Sequence, residues 1–159
     1  MNWIEINKIN KYNIDDIKII ENIDSLSQIF NILPININDY KMKICFKNHN
    51  IGYYMNWHID DCVKIKKKNN GNFKLNHGKG IFYENEKYLL LYQNKLPEYT
   101  LLYYNNIDNT IGGDLIMFPD FKIKPKCNMV VLFPSYIPHC VSKLNSGTRK
   151  NVIIKFYKK

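Results

Sequence analysis

Two histidines, one aspartate and one arginine are the residues of this sequence whose types and spacing have the clearest chemical meaning. His58 and Asp60 are separated by one residue, His139 follows much later, and Arg149 is the only arginine. Residues two apart on a β-strand point to the same face of the sheet. His58 and Asp60 can therefore join His139 as two imidazoles and one carboxylate, a ligand set that binds Fe(II) and leaves positions open for substrate and oxygen.

Arg149 lies ten residues after His139, close enough along the chain to serve the same site. A guanidinium can hold a carboxylate through two parallel charge-assisted hydrogen bonds. Because lysine supplies the positive charge everywhere else, we interpret Arg149 as the anchor for the far carboxylate of a diacid. The alternatives are a hydrogen-bonded core histidine at His58 and a solvated turn at Asp60. No role is predicted for His49 or His77.

The composition indicates a globular protein with a basic surface. The chain has 159 residues, 45% of them hydrophobic, and a formal net charge of +9, so it is long enough for one domain with its own core. Such a charge suggests an acidic partner, for example nucleic acid. Coding bias is the explanation we favour, because the chain lacks alanine and is rich in Asn, Lys and Ile. That bias fits a large DNA virus or an AT-rich parasite.

The lysines are scattered along the sequence, and one tight cluster stands out, at Lys64, Lys66, Lys67 and Lys68. No apolar stretch approaches the ~18 residues that a membrane span needs, and the first residues lack a signal-peptide pattern. We therefore expect a cytoplasmic or nuclear protein without a membrane partner. No two of the four cysteines have the C-x-x-C spacing of zinc sites, so a zinc site is not expected. A cytosolic chain keeps cysteines reduced, and we expect buried or incidental thiols.

Helical spacing of apolar residues over 14–31 predicts one or two short helices that end before Pro34. From Lys41 onward, short runs of β-forming residues alternate with turn signals. Residues 61–79 are expected to be irregular, and Ile81–Tyr83 with Lys87–Tyr92 to form a hairpin. The remaining predicted strands are Lys41–Lys47, Gly52–Trp57, Tyr99–Asn105, Asp114–Phe118, Met129–Phe133, Cys140–Lys143 and Asn151–Tyr157. This pattern predicts a mainly β protein, a sandwich or barrel of the jelly-roll, cupin-like type.

Five blocks of the sequence occur in an order and spacing that resemble a known family. The blocks are Gly52-Tyr-Tyr-Met-Asn-Trp-His-Ile-Asp60, Tyr99-Thr-Leu-Leu-Tyr-Tyr-Asn105, Gly112-Gly-Asp-Leu115, Ile123-Lys-Pro-Lys126 with Val130-Val-Leu-Phe133, and His139-Cys-Val141 with Ser146-Gly-Thr-Arg149. They resemble the Fe(II)- and 2-oxoglutarate-dependent oxygenases, nearest to the prolyl 4-hydroxylase-like branch. The resemblance extends from about Lys41 to Tyr157.

The resemblance implies roles for individual residues. His58, Asp60 and His139 would ligate iron, and Arg149 would pair with the C5 carboxylate of 2-oxoglutarate. Tyr104 aligns with a tyrosine that hydrogen-bonds the same carboxylate in oxygen-sensing prolyl hydroxylases, although plain core packing is the alternative. Its neighbour Tyr103 must then face the opposite side of the strand. Leu115 would line the cosubstrate pocket, and a core leucine is equally consistent. Thr148 is a weaker candidate for a hydroxyl near the site.

The sequence also departs from the family at several positions. Phe46 stands where many prolyl hydroxylases have a tyrosine that contacts the cosubstrate. Asn128 replaces a turn glycine, and asparagine tolerates the positive φ of such a turn. Lys155 occupies the place of the second arginine of the nucleic-acid-repair branch, which weakens the match to that branch. Residues 1–40 match no pattern of the family.

The chain length predicts a single domain over residues 1–159, and the helical spacing predicts short N-terminal helices in 1–40. The resemblance implies that 41–159 form an oxygenase core, a double-stranded β-helix (jelly roll) with an insertion at about 61–97. The implied activity is hydroxylation of a peptide or protein side chain, prolyl being one candidate, with Fe(II), 2-oxoglutarate and O2, and with ascorbate as a further candidate. Two alternatives stay open: oxidation of a nucleic acid base, and a non-catalytic binding module on the same fold. A protein or peptide substrate is favoured over nucleic acid, and the sequence does not indicate an oligomeric state.

Overall fold

The structure is a computed structural model that describes the backbone of residues 2–6, 12–67, 88–92 and 95–159, and the side chains of residues 12–62 and 95–159. Strands dominate this part of the chain. In chain order the strands are β1 (Asn2–Ile6), β2 (Lys18–Ile20), β3 (Tyr40–His49), β4 (Met55–His58), β5 (Cys62–Lys67), β6 (Tyr88–Tyr92), β7 (Tyr99–Gly112), β8 (Leu115–Met117), β9 (Phe121–Ile123), β10 (Met129–Pro134), β11 (His139–Val141) and β12 (Leu144–Lys158).

The described strands form three sheets. The largest is antiparallel with the order β2-β10-β7-β12-β3, and a four-stranded sheet has the order β4-β11-β8-β9. A third sheet, β1-β6-β5, contains strands from both ends of the segment predicted to be an insertion. The mainly β jelly-roll fold predicted from the sequence is confirmed.

An inner core lies between the five-stranded and the four-stranded sheet. Alternation along β7 and β10 sends every second side chain to this side, and the four-stranded sheet contributes the facing residues. Its buried members are Ile17, Leu102, Tyr104, Leu115, Met117, Ile123, Met129, Val131, Phe133, Ile137 and Val141. Burial of both sheet faces explains why these strands read as continuous apolar runs in the sequence.

An outer core covers the opposite face of the five-stranded sheet. Helix α1 (Leu26–Ile32) packs there, and its N-terminus is capped by Ser25, whose side chain accepts a hydrogen bond from the Gln28 amide. The buried members of the outer core are Ile23, Ile29, Leu101, Tyr103, Val130, Leu132, Val152, Ile154 and Phe156. The N-terminal part thus stabilises the sheet from outside and leaves the inner side free for a site.

The N-terminal region is less helical than its periodicity suggested. A 3₁₀ turn (Ile14–Asp16) and α1 are present, and α1 ends before Pro34 as expected, but β2 lies between them and pairs with β10, with Ile20 opposite Val130. The expectation of one or two short helices over 14–31 is wrong at Lys18–Ile20, which form a strand. The apolar β-branched residues near Ile20 suit a strand as well as a helix. Here they form a strand because they pair with the edge of β10.

The strand predictions are otherwise close to the structure, with β7 and β12 longer than expected. The irregular segment predicted over residues 61–79 is wrong at its start, because β5 is a strand. Of the predicted hairpin, Tyr88–Tyr92 is a strand that pairs with β1 and β5, while Ile81–Tyr83 lies outside the described residues. Within the part of the chain that the structure covers, no helix has the length and apolar character to cross a membrane.

Candidate metal centre

His58 and His139 are brought together by strand pairing. They lie directly opposite each other on β4 and β11, where the register pairs the two residues. Their ring centroids are 4.2 Å apart, with the ring planes inclined at 57°. Two residues far apart in the sequence therefore present their imidazoles side by side.

Both histidines are held in the same tautomer by backbone carbonyls. Nδ1 of His58 lies 2.8 Å from the carbonyl oxygen of Asn56, and Nδ1 of His139 lies 2.9 Å from that of Ile137. A carbonyl oxygen can only accept, so each Nδ1 bears the proton and each Nε2 has a free lone pair. This arrangement orients imidazoles for metal binding.

Asp60 completes the set. Its Oδ1 lies 3.5 Å from Nε2 of His58 and 3.7 Å from Nε2 of His139. One ligand atom from each of the three residues lies within 4.8 Å of the other two. Among the described residues, these three form the cluster of histidine, cysteine or acidic side chains that could hold a metal ion. The prediction that these three side chains converge agrees with the geometry.

The protonation states suit a metal cation. Burial lowers the pKa of His139 to about 4, with His58 contributing in the same direction, so the ring stays neutral near pH 7. Burial would raise the pKa of Asp60, but His139, His58 and the Lys155 ammonium together hold it below its ordinary range. A neutral imidazole at His139 and an ionised carboxylate at Asp60 are the forms that coordinate a divalent ion.

The second oxygen of Asp60 is fixed by a buried hydroxyl pair. Oγ1 of Thr100 donates a 2.6 Å hydrogen bond to Oδ2 of Asp60, and lies 2.8 Å from the hydroxyl of Ser135. Thr100 and Ser135 are 1% and 0% exposed. Because Thr100 occupies Oδ2, the free Oδ1 is the oxygen turned toward the two histidines.

Arg149 is a buried cation without an anionic partner among the described residues. It is 4% exposed, its Nη1 donates to the carbonyl oxygen of Gly113, and its Nε has no hydrogen-bond partner. No carboxylate among the described residues forms an ion pair with it. Burying an unpaired charge costs several kcal/mol. An anion that binds beside this guanidinium would offset that cost.

Two tyrosines flank the guanidinium. Its central carbon lies 5.5 Å from the ring centre of Tyr53 and 5.6 Å from that of Tyr104, within cation–π range. Burial raises the pKa of Tyr104 to about 12, which keeps its hydroxyl protonated and able to donate. Tyr103 faces the outer core, where its hydroxyl donates to the carbonyl oxygen of Ile23, so the inward position of Tyr104 agrees with the predicted alternation.

A single cavity of about 360 Å³ joins the triad to Arg149. Leu115 lines it, as predicted, and is fully buried. The other lining residues are Lys47, His49, Tyr53, Met55, Ile59, Asp61, Cys62, Thr100, Leu102, Tyr104, Val141, Asn151, Ile153 and Lys155. The metal-binding set and the anion site thus open into one chamber with largely apolar walls.

Two residues suggested by the family pattern lie elsewhere. Phe46 is 71% exposed, because it faces the other side of β3 from His49, which lines the cavity. Thr148 is exposed and is not among the lining residues. Asn128 does adopt positive φ, at 62°, so the turn that it was expected to form is present.

Lys155 lines the cavity at the side of Asp61. Its Nζ lies 2.6 Å from Oδ1 of Asp61 and 3.9 Å from Oδ1 of Asp60. The Tyr157 hydroxyl also donates to Asp61. Lys155 therefore forms an ion pair with Asp61 beside the triad and is not a free cation.

Thr100, His49, Tyr53 and Asn151 are among the cavity residues to which the sequence analysis assigned no role. Thr100 lies on β7, His49 on β3 and Asn151 on β12, and the register of these strands brings them to the cavity, while Tyr53 lies in the β3–β4 connection. Tyr53 belongs to the Gly52–Asp60 block that resembles the family, so the sequence contained an indication that it lies near the site. His49 and Thr100 had no such indication, because their neighbours Arg149 and Asp60 are distant in the sequence.

Comparison with known proteins identifies the class of fold. No protein-family model matches the sequence, and no curated protein matches it. Among solved structures, however, the fold is that of prolyl 4-hydroxylases and other 2-oxoglutarate–Fe(II) oxygenases. The sequence identities are low, so the similarity is one of fold.

Three of these structures illustrate the similarity. The viral collagen prolyl hydroxylase vCPH of Paramecium Bursaria Chlorella virus-1, in a 2OG complex, has a TM-score of 0.53 at 13% identity over 99% of this chain and 96% of its own. A prolyl-4-hydroxylase of Pseudomonas putida scores 0.50 at 16% identity over 76% of this chain. A 2OG-Fe(II) oxygenase family oxidoreductase of Burkholderia pseudomallei scores 0.50 at 9% identity over 84% of this chain. The chain spans 55% and 50% of the lengths of the two bacterial proteins.

Proposed function

We propose that this chain is an Fe(II)- and 2-oxoglutarate-dependent dioxygenase that hydroxylates a peptide or protein side chain, with proline as the first candidate. The observation that supports it most is a single cavity that holds both a His58–Asp60–His139 triad and the buried, unpaired Arg149. A metal site alone would fit many functions. A metal site that shares a chamber with an anion site fits a cosubstrate that is both a chelator and a dicarboxylate.

The residues present fit the metal and the cosubstrate. Nε2 of His58, Nε2 of His139 and Oδ1 of Asp60 would hold Fe(II) on one side and leave its other positions open. Arg149 would hold the C5 carboxylate of 2-oxoglutarate, with Tyr104 as a further donor. When bound, Fe(II) with 2-oxoglutarate and O2 would supply the oxidation, in which one oxygen atom of O2 would be inserted into a substrate C–H bond and the other would end in succinate, with release of CO2.

The protein's own contribution is binding, orientation and exclusion of water. The backbone carbonyls fix the histidine rings, and Thr100 fixes Asp60, so the ligand atoms are in place before the metal arrives. Leu102, Leu115 and Val141 are buried and line the chamber. Apolar walls strengthen the charged contact with Arg149, because they lower the local dielectric.

A protein or peptide substrate is proposed because the vCPH structure, whose protein is a collagen prolyl hydroxylase by name, is matched over nearly its whole length. Lys64, Lys66, Lys67 and Lys68, which suggested nucleic acid, lie outside the residues whose side chains the structure describes. Base oxidation and a non-catalytic binding module are alternatives that rest on the sequence alone.

The test is product formation. The purified chain, supplied with Fe(II), 2-oxoglutarate, ascorbate and proline-containing peptides in air, should release succinate and produce peptides heavier by 16 Da. The matched control is His139→Ala, which should release none. Succinate without any heavier peptide would contradict the peptide substrate, and no succinate under any condition would contradict the activity.

A further inference from the structure

His49 is a buried histidine of the cavity that the proposed mechanism leaves unused. It ends β3 directly opposite Arg149 on β12, and it is 8% exposed. Residues opposite each other on neighbouring antiparallel strands project to the same face, and both side chains line the cavity. An imidazole therefore accompanies the guanidinium at the anion end of the chamber.

A stacked tyrosine connects the two side chains. The rings of His49 and Tyr53 are 3.7 Å apart at 28°, and the same Tyr53 ring lies 5.5 Å from the Arg149 guanidinium carbon. Two buried polar atoms at this end, Nε of Arg149 and Oδ1 of Asn151, have no hydrogen-bond partner. Native proteins rarely leave such atoms unsatisfied. The Nε–H of Arg149 can donate to an arriving carboxylate, whereas Oδ1 of Asn151 is an acceptor and needs a donor, such as a protonated imidazole.

The charges around His49 all oppose its protonation in the ligand-free chain. Burial lowers the pKa of His49 to about 4, and the charges of Arg149 on β12 and Lys47 on β3 act in the same direction. The Asn151 carboxamide offsets part of this lowering, although its Oδ1 does not reach hydrogen-bonding geometry. A carboxylate arriving at Arg149 would reverse the balance, because it places a negative charge beside the imidazole.

We propose that His49 is a second contact for the distal carboxylate of the dicarboxylic ligand that Arg149 holds, and that it takes up a proton from solvent when that carboxylate binds. This inference rests on the proposed function, since 2-oxoglutarate is the dicarboxylate concerned. It makes His49 a binding residue that couples cosubstrate affinity to pH.

The experiment measures ligand affinity without turnover. The full chain is saturated with Mn(II), and 2-oxoglutarate or 2-oxovalerate is titrated by calorimetry at pH 6.0 and pH 8.0. 2-Oxovalerate has a methyl group in place of the distal carboxylate, so it reports changes at the metal alone. The chains compared are the unmodified protein, His49→Phe, His49→Gln and Arg149→Ala.

We expect the unmodified protein to bind 2-oxoglutarate roughly tenfold more tightly at pH 6.0 than at pH 8.0, relative to 2-oxovalerate, because one coupled proton changes affinity by at most about tenfold per pH unit. His49→Phe keeps an aromatic ring against Tyr53 and should bind 2-oxoglutarate about tenfold more weakly at pH 6.0, with no change for 2-oxovalerate. His49→Gln keeps a neutral donor and should lose the pH dependence.

The outcomes separate this inference from the proposed function. If both His49 variants keep the affinity and pH profile of the unmodified protein, or lose affinity for both ligands equally, the role of His49 is overturned while the cosubstrate site stands. If the unmodified protein binds 2-oxoglutarate no better than Arg149→Ala does, the proposed cosubstrate fails, and the inference fails with it.

Discussion

At the scale of single residues, the candidate metal centre shows how backbone contacts prepare side chains for coordination. His58 and His139 each place Nδ1 against the carbonyl oxygen two residues earlier in the chain. Asp60 is oriented in a different way, by the side chain of Thr100. The carboxylate is therefore the ligand whose position a single conservative substitution can test.

Replacing Thr100 with valine should weaken metal binding. Valine has nearly the same shape, but it removes the 2.6 Å hydrogen bond to Oδ2 of Asp60 and leaves that carboxylate free to rotate. Loss of a contact that orients a ligand costs about 10- to 100-fold in metal affinity. Titration of Mn(II) into the metal-free chain would measure it.

The matched control is Thr148→Val, since Thr148 is exposed and outside the cavity. That variant should bind Mn(II) like the unmodified chain. Equal affinities for Thr100→Val and Thr148→Val would show that the Thr100 hydroxyl does not position Asp60.

At the scale of elements, the site depends on strand register and on one glycine turn. Gly113 lies between β7 and β8, has φ of +73°, and accepts a hydrogen bond from Arg149. A Cβ at this position would lie 3.1 Å from Nη1 of Arg149. The turn thus needs glycine both for its backbone conformation and for the close approach of the guanidinium.

Gly113→Ala should therefore weaken 2-oxoglutarate binding, by about tenfold, while Mn(II) binding is retained. The displaced guanidinium loses its alignment with the carboxylate, and a charge-assisted hydrogen bond depends on that alignment. Gly52→Ala is the control, because Gly52 also has positive φ, at +93°, but its added Cβ would meet nothing within 4 Å. Calorimetric titration of both variants with 2-oxoglutarate would measure the two affinities. If both variants lost the same affinity, the effect would come from backbone strain alone and not from displacement of Arg149.

The elements also show how far the sequence could predict the site. The spacing of His58 and Asp60 alone left a core histidine and a solvated turn open as alternatives. The resemblance of the surrounding blocks to a known family added weight to a set of His58, Asp60, His139 and Arg149, and the structure brings these four side chains to one cavity. His49 and Thr100 could not be predicted, because their partners Arg149 and Asp60 are distant in the sequence. His49 meets Arg149 only through the register of β3 against β12, which the local sequence does not determine. The strand β2 was missed for the same reason, since pairing with β10 overrides a helical pattern.

At the scale of the whole molecule, the two cores divide the structure into a supporting layer and a functional layer. The outer core packs α1 against the five-stranded sheet, while the inner core surrounds a cavity that contains buried ionisable groups. Burying such groups makes the stability of the metal-free fold depend on pH.

The metal-free chain should lose stability as the pH falls below about 6.5. His139 has a folded-state pKa of about 4 against an ordinary value of 6.5, so between these values the unfolded chain binds a proton that the native chain does not. The loss should reach roughly 2 kcal/mol by pH 5, at ~1.36 kcal/mol per pH unit for one group. His49 acts in the same direction.

Urea unfolding in the presence of a chelator, at pH 7, 6 and 5, would measure this dependence. His139→Gln, which cannot titrate in this range, should show a flatter profile than the unmodified chain. A stability that stays constant from pH 7 to pH 5 in the unmodified chain would mean that the buried histidines are not held neutral.

The most direct test of the account is a calorimetric titration of 2-oxoglutarate into the Mn(II)-saturated chain, compared between the unmodified protein, Arg149→Ala and Arg149→Lys. Truncating one member of a desolvated charge pair typically costs about 2–5 kcal/mol, so Arg149→Ala should bind at least roughly 30-fold more weakly. Arg149→Lys should be intermediate, because it keeps the charge and loses the two-pronged contact. Mn(II) affinity should be unchanged in both. An Arg149→Ala titration that matches the unmodified protein would contradict the claim that this cavity holds 2-oxoglutarate.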